Sequence, residues 1–480
     1  MRIAIVHYHL RRGGVTCVIE NAVAALSDYD MEVIVLTGEP PSTSLSNIPV
    51  EVVEGLSYDS KPSTQSFAQL QENLENVARS RLGDSPDIWH FHNHSLGKNL
   101  HLPACVKALA ASGQHVLLQI HDFPEDGRPA NYKKLLQHVS DGLPEKLGEV
   151  LYPTASHVHY ALLNSRDKTF INQAGLSPQQ THVLPNAVHI EMVDTSFFPV
   201  DHSSESSRLF LYPTRAIRRK NIGEFILWAA LNNTWDTFGF SMAPENPEAL
   251  PIYDQWVEFA QSLNVPVQFD MGSHKQFAIL LSEAHALVTT SVAEGFGLVF
   301  LEAWLTGRPL VGRNLPEVTH EFVEAGVDLS DLYNRFDIPI DLIGADVWAK
   351  KVTDHLQVYF KAYGRECAVE RMDQAIDTTV SAETIDFGRL DEELQMKVIR
   401  HLKTTSELER PVLGPTVSRE KIQYNAEIVR DSFGLKQYGE RLYRIYQSLL
   451  ASSPEPLNAL FADRVLDQFL SPERINLLRT

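Results

Sequence analysis

Two glutamates and two glycines stand close together in the second half of this sequence, in an order that suits ligand binding. Glu294 is followed by Gly295 and Gly297, and Glu302 lies eight residues after Glu294. The surrounding pattern predicts a strand before this segment and a helix from about 298 to 305. The glycines expose backbone amides at the predicted helix start, where unpaired N–H groups and the helix dipole favour an anion.

The spacing of the two carboxylates allows both to bind one extended ligand. Side chains on a helix lean towards its N-terminus, which brings Glu302 back towards the loop that carries Glu294. Carboxylates accept hydrogen bonds from sugar hydroxyl groups. Two glutamates near a helix start also complement the helix dipole without a ligand, so spacing alone leaves both interpretations open.

A basic cluster follows another predicted strand, and it suits a diphosphate. Residues 215–221 have the sequence RAIRRKN, which places four cations within six residues of a chain whose formal net charge is −19. Such a cluster at the carboxyl end of a strand concentrates positive potential. The guanidinium group of Arg215 is planar and donates several hydrogen bonds, whereas the ammonium group of Lys220 is a compact charge. We expect both to bind a diphosphate and to neutralise the negative charge that develops on it when the bond to the diphosphate breaks. A solvated surface turn is the alternative interpretation.

A pair of glycines, Gly13 and Gly14, lies between the first predicted strand and a stretch whose apolar period predicts a helix. Adjacent glycines let the backbone approach a ligand at a helix start. A dinucleotide fingerprint would also need a third glycine and an acidic residue at the end of the next strand, and this site has only the pair. A tight turn without a ligand is the alternative.

Histidines and acids stand at predicted strand ends in the first half of the chain. His121 and Asp122 end a strongly apolar run, so we expect them to face a ligand cleft, with a structural role for His121 as the alternative. His90, His92 and His94 alternate along another strand end. Three residues on one face of a strand need no metal ion to explain them, and we predict no metal site.

The elements that must position these residues follow an α/β pattern. Short β-branched runs alternate with segments of helical period, which predicts βαβ units and parallel sheets. The predicted strands are 2–8, 31–38, 50–54, 87–93, 115–121 and 158–164, and then 208–213, 237–242, 265–270, 285–290 and 308–312. A polar stretch at 201–207 separates the two series and indicates a linker, and residues 320–450 are mostly helical in pattern. We expect an N-terminal domain at 1–200, a C-terminal domain at 208–430 and a helical segment at 431–480.

Length and composition limit the class of protein. A chain of 480 residues exceeds what one hydrophobic core usually serves, and 44% hydrophobic with 21% charged residues is typical of a folded enzyme. The net charge of −19 argues against a general nucleic-acid binder, because such binding depends on clustered Lys and Arg. Scattered cysteines, an N-terminus without a signal-peptide pattern and no apolar run of about 18 residues lead us to expect a soluble, cytoplasmic protein without an integral membrane segment.

Taken together, these residues resemble the retaining glycosyltransferases of family 4, which have the GT-B fold. The matching pieces appear in the family's order within roughly residues 1 to 320: Gly13-Gly14, His121-Asp122, Leu184-Pro185-Asn186-Ala187-Val188, Arg215 with Lys220-Asn221, Glu294 to Glu302, and Gly307-Arg308-Pro309. The Glu-x7-Glu element is specific in that order. The resemblance implies two facing Rossmann-like domains with a cleft between them, the acceptor on the N-terminal side and the nucleotide-sugar donor on the C-terminal side. The apolar spacing of the helical segment at 431–480 is compatible with packing on either domain, and packing back on the N-terminal domain is the arrangement that we name.

The resemblance also implies roles on the donor side. Arg215 and Lys220 would hold the diphosphate of the donor and stabilise it as the leaving group. Glu294 would bind the donor sugar, and Glu302 would hold the ribose hydroxyl groups. The backbone that would contribute amides lies at Gly295, Phe296, Gly297 and Leu298.

On the first-domain side, His121 would contact the transferred sugar near the reacting carbon. Gly14, with Gly13 beside it, would bring the backbone towards phosphate or acceptor. Asp122 and Arg128 are the residues that we expect to contact the acceptor.

The implied reaction moves a hexose from a UDP or GDP sugar, with no cofactor and no catalytic metal. The acceptor attacks from the face that the diphosphate leaves, and a phosphate oxygen receives the proton. Three features depart from the family pattern: Thr214 and Ala187 stand where Gly is usual, and 329–413 is longer than a minimal domain requires. The acidic charge balance favours a small molecule or glycan as acceptor over a membrane lipid.

Other functions are compatible with the same motifs. A sugar phosphorylase or a nucleotide-sugar epimerase would keep the fold and change the reaction. A two-domain binding protein would close on a sugar or nucleotide without chemistry, and the two phosphate-binding patterns count against it.

Overall fold

The computed structural model describes residues 1–11, 13–41, 49–59, 66–190, 208–232, 235–405 and 417–479. The linker predicted at 201–207 lies outside this described part. The chain divides into two units, and each contains segments that are distant in sequence. Unit 1 comprises Met1–His189, Lys361–Arg365 and Phe433–Ser471, and unit 2 comprises Ile190–Phe360, Glu366–Ser432 and Pro472–Thr480.

Strands and helices alternate along most of the chain. The strands are β1 Arg2–His7, β2 Glu32–Thr37, β3 Val50–Val52, β4 Ile88–His92, β5 Val116–Ile120, β6 Pro153–Thr154, β7 Val158–Leu162, β8 Thr181–Val183, β9 Leu209–Arg215, β10 Thr237–Met242, β11 Val267–Gln268, β12 Ala284–Thr289, β13 Leu310–Gly312, β14 Asp337–Pro339, β15 Val380–Ser381, β16 Thr384–Asp386 and β17 Asn458–Ala459.

The helices are α1 Gly14–Leu26, α2 Phe67–Leu82, α3 Leu102–Ala111, α4 Pro129–Val139, α5 Pro144–Leu151, α6 Ser165–Gln173, α7 Ile222–Leu231, α8 Leu250–Ser262, α9 Phe277–Glu283, α10 Val299–Leu305, α11 Pro316–Glu324, α12 Ala345–Ala362, α13 Val369–Thr379, α14 Glu392–Thr404, α15 Arg419–Phe433, α16 Leu435–Leu450 and α17 Ala462–Phe469.

Unit 1 contains a seven-stranded sheet with the strand order β3-β2-β1-β4-β5-β7-β8. Every neighbouring pair in it is parallel. Strands β4, β5 and β7 are buried along their whole length, as expected for the centre of a parallel sheet. The sheet therefore carries the carboxyl ends of β1, β4 and β5 at one edge, where the residues that follow them are placed together.

The C-terminal helix α16 packs on α1 of unit 1. Tyr438, Leu442 and Tyr446 are buried in the same apolar cluster as Ile19 of α1. The helices approach closely at Gly439, where a Cβ atom would lie 2.6 Å from the carbonyl oxygen of Ala25. Residues from the end of the chain thus complete the core of the unit that begins it.

Unit 2 contains a five-stranded parallel sheet with the order β11-β10-β9-β12-β13. Its core is aromatic, and the rings of Phe225 and Phe240 have centroids 4.5 Å apart. Helix α7, which directly follows the basic cluster, has eight buried residues. The start of α7 is thereby anchored to the sheet.

The two parallel sheets confirm the α/β class predicted from the sequence, and each of the eleven predicted strands has a counterpart in β1–β5, β7 or β9–β13. The pattern did not predict the three-stranded antiparallel sheet β14-β16-β15 within the mostly helical region. These strands are only two or three residues long, which is too short to produce a period in the sequence.

Candidate functional site

Glu294 in unit 2 lies in the loop between β12 and α10 and forms an ion pair with Lys220. Arg219 donates a second bond to this carboxylate at 3.0 Å, and the hydroxyl group of Ser291 a third at 2.5 Å. The side chain of Glu294 is only 8% exposed. Burial opposes its ionisation, but the charges of Lys220 and Arg219 outweigh burial and lower the pKa of Glu294 to about 2. Glu294 is therefore a carboxylate at neutral pH.

The loop that carries Lys220 is tied directly to the loop that carries Glu294. The hydroxyl group of Thr290 donates to the carbonyl oxygen of Lys220 at 2.9 Å and to that of Asn221 at 3.1 Å. The amide of Val292 donates to the carbonyl oxygen of Arg219 at 3.0 Å. Two chain segments that are more than 70 residues apart in sequence thus form one local structure.

Asn221 fixes the turn from the basic cluster into α7. Its φ of 54° lies in the left-handed region, which Asn tolerates better than most residues. Its side-chain oxygen caps α7 at the amide of Glu224 and accepts a bond from Gln395 at 2.8 Å. The side chain of Asn221 is wholly buried, so these bonds hold Lys220 at the start of α7.

Arg215, which we predicted as a second anchor, does not contact Glu294 in any described interaction. It lies at the end of β9 and binds Glu245 at 2.6 Å. Its buried Nε atom has no hydrogen-bond partner among the described residues. Arg219 lies beside Glu294, and the sequence signal for it was its position inside the basic cluster.

The loop before α10 provides unused hydrogen-bonding groups. Among the residues described, the amides of Phe296, Gly297 and Leu298 donate no hydrogen bond. Gly297 has a φ of +83°, and a Cβ atom there would lie 2.8 Å from the ring of Phe300, so this turn requires glycine. Gly295 lies in the same loop, beside Glu294.

Glu302 lies on α10, and its carboxylate has no hydrogen-bond or ion-pair partner in the described part of the chain. Burial raises its pKa. A half-buried carboxylate without a partner is costly in the folded protein, and a ligand that donates hydrogen bonds would relieve that cost.

In unit 1, His121 directly follows β5 and is 8% exposed. The side-chain oxygen of Asn93 accepts the backbone amides of His121 and Asp122 at 2.7 and 3.1 Å. The Nε2 atom of His121 lies 2.9 Å from Nδ1 of His92. His92 and Asn93, which the sequence did not identify as site residues, therefore hold His121.

Asp122 and Arg128 form an ion pair at 2.5 Å, and about one third of each side chain is exposed. Arg128 also donates to the carbonyl oxygen of Asp126 at 3.0 Å. The two residues predicted to contact the acceptor are thus close neighbours in the loop after β5.

The glycine pair lies at the start of α1, where Gly13 is the N-cap residue. The backbone of Gly13 is extended, and a Cβ atom on Gly14 would meet no atom within 4 Å. Packing in unit 1 therefore does not require glycine at Gly14, whereas close approach of a ligand would.

The three alternating histidines bind different partners. His90 contacts the hydroxyl group of Tyr446 at 2.8 Å, and His94 contacts the carbonyl oxygen of Leu151 at 2.7 Å. Within the described ranges, no three or more His, Cys, Asp and Glu side chains are grouped so as to hold a metal ion. In the same ranges, no helix has the length and apolar character needed to cross a membrane.

Comparison with known proteins extends over nearly the whole chain. No protein-family model matches it. The mannosylglucosyl-3-phosphoglycerate synthase of Petrotoga mobilis is 24% identical over 518 aligned positions, which cover 99% of this chain and 98% of that protein.

Two solved structures share the architecture. HepE of Anabaena, in complex with UDP and glucose, is 14% identical with a TM-score of 0.55 and covers 93% of this chain and 100% of its own. Sucrose-phosphate synthase of Thermosynechococcus elongatus is 14% identical with a TM-score of 0.55 and covers 94% and 99%. This chain therefore has the GT-B fold predicted from its sequence.

Proposed function

We propose that this protein is a glycosyltransferase that moves a hexose from a nucleoside-diphosphate sugar to a small acceptor. The observation that carries the proposal is the buried carboxylate of Glu294, which forms ion pairs with Lys220 and Arg219. Beside it lie loop amides that donate no hydrogen bond to the described residues. The two cations and one carboxylate leave a local charge of +1, which attracts a diphosphate in a chain of net charge −19.

The donor is held by charge at one end and by hydroxyl groups at the other. Lys220, Arg219 and Arg215 bind the diphosphate, and the unpaired Nε of Arg215 is one donor for it. Glu294 accepts hydrogen bonds from the transferred hexose, and Glu302 accepts them from the ribose. HepE, which shares the fold, binds UDP and UDP-glucose. UDP or GDP is the nucleotide that we propose for this chain.

The transfer that we propose retains the configuration of the sugar and uses no metal. The bond from the anomeric carbon to the diphosphate oxygen breaks, and the acceptor oxygen forms a new bond on the same face. The acceptor proton moves to the departing phosphate oxygen. Lys220 and Arg219 offset the charge that develops on the diphosphate, which is the role a metal ion has in other enzymes.

The similarity along the whole chain suggests the class of acceptor. The Petrotoga relative is named for a product in which two hexoses are joined to 3-phosphoglycerate. We therefore propose a small phosphorylated glycoside as the acceptor, bound through Asp122, Arg128 and the backbone at Gly13 and Gly14. A water-soluble donor and acceptor fit an enzyme of the cytoplasm.

A donor screen with the full chain tests the proposal. UDP and GDP sugars are added singly, binding is measured as a shift in melting temperature, and transfer to 3-phosphoglycerate glycosides is followed by mass spectrometry. We expect one donor to stabilise the protein and to be consumed only when acceptor is present. Conversion of the donor without acceptor would show an epimerase, consumption of glycoside with free phosphate would show a phosphorylase, and binding without turnover would show a binding protein.

Substitution of the ion pair tests the site. We expect Lys220→Ala and Glu294→Gln each to reduce kcat/KM by about 100-fold or more, because each removes a charge that acts on the transition state. Lys275→Ala is the control, since Lys275 forms an exposed ion pair with Glu283 elsewhere in unit 2. Unchanged turnover in both site variants, with the fold intact by circular dichroism, would exclude this site.

A further inference from the structure

His121 is held by a second histidine that lies one strand away in the sheet. The rings of His121 and His92 are parallel within 7°, with centroids 5.2 Å apart. Their nitrogens Nε2 and Nδ1 are separated by 2.9 Å, which is a hydrogen bond. One proton lies between the two nitrogens, so one ring donates and the other accepts.

Both rings are neutral at neutral pH. Burial lowers the pKa of His121 to about 4, and burial together with the neighbouring rings of His90 and His7 lowers that of His92 well below 6.5. A neutral imidazole has one N–H group and one bare lone pair. The direction of the shared hydrogen bond therefore determines the protonation of the outer nitrogen on each ring.

The surroundings of His92 determine that direction. Its Nε2 atom is buried and has no hydrogen-bond partner among the residues that the structure describes. If His121 were the donor, Nε2 of His92 would carry a proton without an acceptor. If His92 is the donor, Nε2 keeps only a lone pair. Buried N–H groups without an acceptor are rarer than unused acceptors, so the second arrangement is favoured.

His94, two residues further along the chain, also keeps one ring nitrogen as a buried lone pair without a partner among the described residues. Its Nε2 atom lies 2.7 Å from the carbonyl oxygen of Leu151, which can only accept, so the proton is on Nε2. The Nδ1 atom of His94 is then a bare lone pair, and it is buried without a partner in the described part of the chain. This strand end thus accommodates an unused imidazole lone pair.

We propose that His92 is a positioning residue whose Nδ1–H donates to Nε2 of His121 and so keeps His121 as the Nδ1–H tautomer. Nδ1 of His121 forms no hydrogen bond with any described residue, so it is the ring nitrogen left to bond a ligand. The inference rests on the proposed function and on the role that the family resemblance implies for His121, which is contact with the transferred sugar. An Nδ1–H group donates to a sugar hydroxyl oxygen and cannot remove a proton, in agreement with proton transfer to phosphate.

The tautomer is measured directly by nitrogen NMR of the full chain with 15N-labelled histidine. His121→Asn identifies the signals of His121 by their loss. We expect a protonated shift for Nδ1 and an unprotonated shift for Nε2 at neutral pH. A protonated Nε2 of His121 would overturn the inference, and this measurement does not depend on enzymatic activity.

Two variants at one position test the function of the tautomer. His92→Phe keeps a ring between its neighbours but removes the donor, whereas His92→Asn places an amide N–H near the position of Nδ1. We expect His92→Phe to lower the Nδ1–H fraction of His121 and to reduce kcat on the order of tenfold, with a smaller effect on the KM for the donor. We expect His92→Asn to restore the Nδ1–H fraction and kcat. Equal kcat in the two variants would overturn the role.

His94→Phe is the matched control, because it makes the same chemical change two residues after His92, at a histidine that has no described contact with His121. We expect it to leave the NMR signals of His121 in place even if the protein loses stability. A wild-type protein that shows the Nδ1–H tautomer but transfers no sugar would refute the proposed function alone. A protein that transfers sugar with the other tautomer would refute only the role of His92.

Discussion

Glu294 and Glu125 are both buried carboxyl groups, and their surroundings move their pKa values in opposite directions. Two cations hold Glu294 ionised, with a pKa of about 2. Glu125 receives one bond from the hydroxyl group of Tyr152 at 2.9 Å, and its second oxygen is buried with no partner among the described residues. Burial raises the pKa of Glu125 to about 7. Glu294 is thus ionised at neutral pH, whereas Glu125 holds its proton up to about pH 7.

The raised pKa of Glu125 predicts a loss of stability as pH increases. The folded state keeps the proton up to about pH 7, while the unfolded chain loses it near the ordinary value of 4.5. Below about pH 4.5 the ionisation of Glu125 therefore does not affect the free energy of unfolding. Above pH 7 it lowers the free energy of unfolding by about 3 kcal/mol. We expect Glu125→Gln to become more stable relative to wild type by about that amount between pH 4.5 and 8, measured by urea unfolding.

A matched control for this prediction is Glu149→Gln, since Glu149 lies in an exposed ion pair with Lys107. Its effect should stay below about 1 kcal/mol at both pH values. A difference between Glu125→Gln and wild type that does not change with pH would show that Glu125 is ionised in the folded protein.

At the scale of elements, a buried ion network connects the region that the family resemblance did not explain to the helix behind the basic cluster. Arg313 donates to Glu224 of α7 at 2.6 Å and to Asp386 of β16 at 2.8 Å. Gln395 of α14 binds Asn221, which starts α7. Part of the long stretch 329–413 thus packs behind Lys220 and holds the start of α7.

This network predicts a large stability effect from a residue outside the candidate site. Asp386→Ala leaves Arg313 buried with only one of its two carboxylates, and we expect a loss of about 3 kcal/mol in the free energy of unfolding. Urea unfolding followed by circular dichroism measures it. Asp337→Ala on the adjacent strand is the control, because its ion pair with Arg335 is partly exposed and should contribute less than about 1 kcal/mol. Equal effects of the two substitutions would contradict the importance of the network.

At the scale of the whole molecule, the chain does not build its units one after the other. Unit 1 takes its last helices, α16 and α17, from the end of the chain. Helix α16 has buried residues along one face: Tyr438, Gly439, Leu442, Ile445, Tyr446 and Leu449. The first 189 residues therefore depend on residues 433–471 for part of their core.

Removal of residues 433–480 should therefore unfold unit 1. The five large side chains of α16 that become buried are worth about 10 kcal/mol, which is comparable with the total of about 5 to 15 kcal/mol that stabilises a typical domain. We expect the truncated chain to be insoluble or to be cleaved rapidly by protease within residues 1–189. A soluble truncated protein with wild-type resistance to protease would contradict this dependence.

Local pattern by itself determined the α/β class, the main strands and the placement of His121, Lys220 and Glu294 after strands, because strand and helix periods and chain direction are properties of neighbouring residues. The three-dimensional fold alone decided which of these residues meet. Arg219 contacts Glu294 and His92 lies beside His121, and contacts across 75 and 29 residues depend on strand order and register. The pairing of α16 with α1 likewise required folding, since an amphipathic helix shows its apolar face in sequence but not the surface that will cover it.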